Sequence, residues 1–143
     1  MKILAAIDFS TATEPILKTT KIYAEKLDAE VCLIHVEPPP VVQIGSEPGL
    51  EIMSAGPPCR ETELARLRKN ALALKKSGIK VSQVLLQGAV SKTILEEAER
   101  QKADLIIAGS HGHSILRNVL IGSTSEGILR HTRIPLLLIP IKG

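Results

Sequence analysis

Leu105-Ile106-Ile107-Ala108-Gly109-Ser110-His111-Gly112 is a short apolar run that breaks into a glycine turn. Every position of 105–108 is apolar, so neither face of the strand that these residues predict can meet water. A strand covered on both sides belongs to a parallel sheet, because one-sided antiparallel strands alternate polar and apolar positions. Comparable β-branched runs occupy residues 3–7, 31–36, 81–86 and 135–141. Between them apolar residues fall at helical spacing: Ile16, Thr20, Tyr23 and Leu27; Leu64, Leu67, Ala71 and Leu74; Ile94, Leu95 and Ala98. Strand and helix alternate, which predicts an α/β fold, an open doubly wound five-stranded parallel sheet with helices on both faces. Val81-Ser82-Gln83-Val84 mixes in polar residues, so the third strand is expected at an edge.

Length and composition agree with one domain over residues 1–143. The chain is 44% hydrophobic, enough for a proper core, and 23% charged. Eighteen basic residues against 15 acidic ones give +3, a mixed surface rather than a basic stripe. Phe9 and Tyr23 are the aromatic residues, too few for base-stacking platforms, so nucleic acid is not an expected partner. The two cysteines, Cys32 and Cys59, have no zinc-ligand spacing; one disulfide between them stays open. No apolar stretch reaches the ~18 residues of a membrane span, and the expected address is a reducing cytoplasm.

Residues 37–60 carry Pro38-Pro39-Pro40, Gly45, Pro48-Gly49 and Gly56-Pro57-Pro58, which predicts a long loop. Such a loop is either a functional lid or a tolerated insertion, and composition does not separate the two.

The chemistry concentrates after the fourth strand. Gly109 and Gly112 permit a sharp turn and bring bare backbone amides up to a ligand. Nine residues later comes Gly122-Ser123-Thr124-Ser125-Glu126, with Ser123 placed as an N-cap and Glu126 as its reciprocal partner. A helix starting there offers free amides, a favourable dipole and the Ser123 and Thr124 hydroxyls to a phosphate. The bland alternative is that these glycines close loops and Ser123 caps a helix.

Asp8 ends the first strand and precedes Ser10 and Glu14-Pro15, which opens a helix. Its carboxylate can serve a ribose hydroxyl or a magnesium ion, or it can cap that helix. In a doubly wound sheet the crevice lies at the carboxyl ends of the strands that depart to opposite sides, and strands one and four can flank it. Asp8 and Gly109 would then face one another.

Missing motifs narrow the chemistry. The chain has no GxxxxGK[ST] sequence and no glycine in the turn after strand one, so a P-loop NTPase and the usual dinucleotide fingerprint are set aside. Gly109-Ser110-His111-Gly112 is not the GxSxG of a nucleophile elbow. His111 and His113 lack companions for a metal set, His35 reads as a hydrogen-bonded strand-end residue, and His131 as a cation at a helix C-terminus.

Gly109, Gly112, Gly122 and Ser123 fit the pattern G-x2-G-x9-G-[ST], and Asp8 stands in Ile7-Asp8-Phe9-Ser10. With Leu33-Ile34-His35-Val36 and Ile134-Pro135-Leu136-Leu137, the whole chain resembles the nucleotide-binding branch of the universal stress protein family. The resemblance implies a Rossmann-like fold of the adenine nucleotide alpha hydrolase type, with ATP or AMP in the crevice. It implies Asp8 near the ribose and a nucleotide-borne magnesium ion, and the Val36 backbone reading adenine. Gly109 and Gly112 would line the ribose-phosphate side, Gly122, Ser123 and Thr124 would hold the phosphates, and Ser10 and Ala108 would line the pocket.

Three functions compete at this point: a nucleotide-responsive regulator of a stress response, an ATP-using enzyme, and a dimeric scaffold with an empty cleft. Phosphoryl transfer needs a positioned base and cationic charge near the γ-phosphate. The motif loop supplies Arg117, His111 and His113, which favours binding, with slow hydrolysis at most. The apolar C-terminal strand, interrupted by Pro140, predicts a homodimer formed edge to edge.

Overall fold

A computed structural model describes residues 1–39, 60–110 and 121–141. The chain runs β1 (Lys2–Ala6), α1 (Thr13–Leu27), β2 (Glu30–Glu37), α2 (Arg60–Lys75), β3 (Val81–Gln87), α3 (Val90–Arg100), β4 (Leu105–Gly109), α4 (Ser123–His131) and β5 (Leu136–Ile139). All pairings are parallel, in the order β3-β2-β1-β4-β5. The apolar runs of β1, β2 and β4 occupy the three central positions, where both faces are covered. The polar-interrupted β3 takes one edge, as its sequence requires, and β5 takes the other.

Each face of the sheet has its own core, and the split follows the period of two. Ile3, Ala5, Val31, Leu33 and Ile107 pack with Ile16 of α1 and Leu67, Ala71 and Leu74 of α2. Their neighbours Leu4, Cys32, Ile34, Val36, Ile106 and Ala108 pack with Ile94 and Ala98 of α3 and Ile128 of α4. The chain therefore leaves β1 toward one face and β4 toward the other. Because β1 and β4 are adjacent, the reversal of direction falls between them, where the sequence places it.

The strand bounds differ from the expected ones chiefly at β5, which spans four residues rather than 135–141. Ile106 N–H donates to Pro135 O at 2.9 Å and Ser110 N–H to Ile139 O at 2.8 Å, so the odd-numbered backbone groups of β5 face β4. Pro140 falls on the opposite edge, which pairs with no strand among the described residues, so its missing N–H costs the described sheet no bond. Cys32 is a free, buried thiol, and burial pushes it above the ordinary cysteine value, which makes it a packing residue rather than a reactive one. Among the described residues, no helix is long and apolar enough to cross a membrane.

Candidate functional site

At the carboxyl end of β1, Ile7 N–H makes a last bond to Ile34 O at 3.0 Å, and the chain then turns out of the sheet through Asp8, Phe9 and Ser10. Asp8 Oδ1 accepts Ser10 N–H at 3.0 Å and the Ser10 hydroxyl at 2.5 Å. Ser10 Oγ in turn accepts Ala12 N–H at 3.1 Å. Short polar side chains thus organise the turn, as aspartate and serine do when no strand or helix partner is available.

Phe9 occupies the left-handed region at φ 59°, a costly place for a bulky residue that packing must hold. Its ring lies 4.4 Å from that of His35, and the Arg66 guanidinium stands 5.7 Å from its centre. His35 Nδ1 bonds Ile7 O at 2.8 Å, so the imidazole ties β2 to the point where β1 ends, as expected of a strand-end histidine. Its Nε2 faces Glu63 at 3.8 Å.

The capping alternative for Asp8 does not hold. The residue before α1 is Ala12, and no side chain caps that helix. The carboxylate instead fixes the Asp8-Phe9-Ser10 turn beside the crevice.

Across the crevice, Gly122 N–H donates to Ser110 O at 2.7 Å, and the Ser125 hydroxyl bonds Gly109 O. Ser110 Oγ accepts Ile141 N–H at 3.1 Å. The end of β4, the start of α4 and the exit of β5 are one hydrogen-bonded unit, which explains why small residues cluster there. The first turn of α4 differs from the expected capping box. Gly122 is the N-cap, with extended backbone and its carbonyl bonded to Glu126 N–H at 2.9 Å; Ser123 is the first helical residue. No side chain caps the helix, and Glu126 pairs with Arg130 at 2.7 Å instead of reaching back. The early amides of α4 have no intrahelical partner, and among the described residues no side chain caps them.

Val36 completes the frame. Gly88 N–H bonds Glu37 O while Ile7 N–H bonds Ile34 O, so even-numbered residues of β2 point their backbone groups toward β1. The β1–β2 register ends at Ala6 opposite Ile34. Val36 N–H and C=O therefore face the space that β1 has left.

The structure thus brings Asp8, Ser10, Val36, Ala108, Gly109, Gly122, Ser123 and Thr124 to the carboxyl end of the sheet; Ala108 is buried in the core beneath it. Gly112, with His111, His113 and Arg117, lies outside the described residues, as does most of the Pro/Gly-rich 37–60 loop. A cavity of about 670 Å³ lined by Lys2, Asp28, Gly78, Lys80 and Asp104 lies at the opposite end of the sheet, away from this crevice.

A magnesium ion would find in Asp8 a carboxylate whose Oδ1 already accepts two bonds; among the described residues no group of three acidic, cysteine or histidine side chains could hold a metal.

Sequence reasoning passed over the Phe9–His35–Glu63–Arg66 contacts and the burial of Glu37, which is 4% exposed. The sequence places residue 37 at the start of the 37–60 loop, whereas the structure extends β2 through Glu37.

Comparison with known proteins gives a consistent result. The model of the universal stress protein family matches residues 1–140. The universal stress protein A homolog 2 of Coxiella burnetii is 32% identical over 146 residues, covering 99% of this chain and 96% of that protein. A protein of Methanocaldococcus jannaschii superposes with a TM-score of 0.76 at 27% identity, covering 99% of this chain and 96% of its own. Two further structures of the same fold are complexes. One is a universal stress protein with cAMP, at TM-score 0.69, 18% identity and coverage of 98% and 96%. The other, from Archaeoglobus fulgidus, holds dAMP, at TM-score 0.66, 22% identity and coverage of 97% and 97%.

Proposed function

We propose that this chain, which belongs to the universal stress protein family, binds ATP or AMP in the crevice between β1 and β4 and acts as a nucleotide-responsive regulator in a stress response. The observation that carries the proposal is the junction of β4 with α4. A helix start that no side chain of the described residues caps is hydrogen-bonded through Gly122 and Ser125 to the end of the strand that flanks the switch point. Uncapped amides in that position favour an anion.

In this reading the Gly122, Ser123 and Thr124 segment takes the phosphates, with Gly112 completing the cradle from the motif loop. Gly109 and Asp8 flank the ribose, Ser10 and Ala108 line the pocket, and the inward-facing backbone of Val36 reads the base. A magnesium ion travels with ATP and is met by Asp8. The cAMP and dAMP complexes of relatives support an adenine nucleotide as the ligand class.

The regulatory unit is a single domain over 1–143, a cytoplasmic homodimer paired through β5. Its free edge, with Leu136 and Leu138 directing backbone groups outward, supports that pairing. The bound state of the nucleotide would alter the contacts made by the loops around the crevice, and hydrolysis, where it occurs, would be slow.

Mass spectrometry of small molecules released from natively purified protein tests the proposal. ATP, AMP or another adenine nucleotide at near-stoichiometric amount is the expected result. An empty protein that also fails to take up added ATP and AMP would leave the scaffold.

A further inference from the structure

A single imidazole holds the chain on both sides of Asp8. His35 is 9% exposed and stands near the end of β2, in register with Leu85 of β3. Its Nδ1 lies 2.8 Å from Ile7 O, and because a carbonyl oxygen only accepts, Nδ1 carries the proton and donates it. The same ring lies 4.4 Å from that of Phe9, inclined to it at 45°. Ile7 and Phe9 are the residues immediately before and after Asp8.

This hold works against a backbone that would otherwise relax. Phe9 sits at φ 59°, and a bulky residue persists in the left-handed region only where surrounding contacts fix it. Those contacts come from β2 and α2: the His35 ring, and the Arg66 guanidinium at 5.7 Å from the Phe9 ring centre. Glu63 of α2 backs both, facing His35 Nε2 at 3.8 Å and Arg66 at 3.9 Å. A packing contact alone requires neither a left-handed phenylalanine nor a bond to Ile7 O. Backbone held in so unfavourable a conformation is concentrated where a chain must aim a functional group.

Resting on the nucleotide reading above, we propose that His35 is a positioning residue: by gripping Ile7 O and the Phe9 ring it fixes the backbone on both sides of Asp8 and sets the carboxylate for the nucleotide. The imidazole itself needs no contact with the ligand. Ser10 completes the arrangement by donating its N–H and hydroxyl to Asp8 Oδ1, which fixes the side chain once the backbone is set. A binding group serves at full strength only when it is held within about 0.5 Å of its productive place by supporting contacts. Without the grip the turn divides its time among conformations, and a turn that is competent about one tenth of the time weakens apparent affinity about tenfold.

The test is calorimetric titration with magnesium-ATP of wild type, His35→Leu, His35→Asn, Asp8→Ala and the His35→Leu/Asp8→Ala double variant, with circular dichroism confirming that each is folded. His35→Leu keeps an apolar side chain in the same place but cannot bond Ile7 O, and its affinity is expected to fall about 3–10-fold. His35→Asn, whose side-chain amide can donate where Nδ1 does, should recover part of that loss. In the Asp8→Ala background, His35→Leu should change affinity by less than about twofold, because no carboxylate remains to be placed. A residue that merely packs would lower the melting temperature and either leave affinity alone or weaken it equally with and without Asp8. Phe9→Ala releases the second hold without touching the interior of the sheet, and it is read in the same way should His35→Leu not fold. Wild-type affinity in folded His35→Leu or Phe9→Ala, or an undiminished loss in the Asp8→Ala background, overturns the positioning role and leaves nucleotide binding standing. Wild-type protein that binds no nucleotide removes both.

Discussion

Gly127→Ala is expected to destabilise this protein although it replaces a glycine inside a helix. In an exposed helix the substitution stabilises by up to about 1 kcal/mol, because alanine loses less backbone entropy. Here α4 lies against the first turn of α3, and a Cβ on Gly127 would stand 2.7 Å from Ser91 Oγ and 2.8 Å from Ser91 Cβ. A hydroxyl can rotate away, but a Cβ moves only with its backbone. Separating the helices costs about 1–3 kcal/mol, the usual range for an overpacked contact, so the net loss is roughly 0.5–2 kcal/mol. Urea unfolding of wild type, Gly127→Ala, Ser91→Gly and the double variant measures it as a cycle. Ser91→Gly removes both clashing atoms, so the alanine should be neutral or stabilising in that background. A Gly127→Ala protein about 1 kcal/mol more stable than wild type would refute the close approach of the two helices.

Glu97 supplies a pH test. It is buried, and hydrogen bonds from Arg100, then Gln101, hold its carboxyl below the usual glutamate range against the opposing effect of burial. A carboxyl lowered on folding stabilises above its unfolded value and loses that contribution as pH falls through the folded one. Glu97→Gln should therefore cost roughly 1–2 kcal/mol at pH 7 in chemical denaturation, a difference that fades below about pH 4; a constant difference would contradict the pairing. Asp8→Ala should weaken magnesium-ATP binding by tenfold or so, more than Asp8→Asn does, whereas unchanged affinity with a lowered melting temperature would restrict Asp8 to holding its turn. Leu136 directs its N–H away from β4, so Leu136→Pro removes a donor from the free edge alone. Light scattering at micromolar concentration should then show a wild-type dimer and a Leu136→Pro monomer, and a monomeric wild type would refute edge pairing.

How far the sequence can be read differs between the sheet and its rim. Leu105-Ile106-Ile107-Ala108 declares a strand buried on both faces because the hydrophobic effect acts on every position of such a strand. Val81-Ser82-Gln83-Val84 declares an edge for the converse reason. The order of the strands then places Asp8 and Gly109 at the same end without further information.

The rim is decided by local hydrogen bonds, to which several residue types have equal claim. Serine is a good N-cap, yet at α4 Gly122 takes that position and Ser123 starts the helix, a shift of one residue that periodicity cannot resolve. Asp8 is as suited to capping as to holding a turn, and the choice rests on Phe9 entering the left-handed region against His35. Residue 37, assigned to the 37–60 loop by the prolines that follow it, is instead the last residue of β2, paired in register with Gln87, because the end of a strand is set by pairing rather than by composition.

The most direct measurement is the affinity of the wild-type protein and Gly122→Val for ATP and AMP by titration calorimetry, with circular dichroism confirming that both are folded. A valine side chain at the N-cap of α4 would intrude between the uncapped amides and a phosphate. Saturable binding by wild type and its loss in a folded Gly122→Val protein are the expected pair of results. Equal affinity in the two folded proteins would contradict the phosphate site at the start of α4.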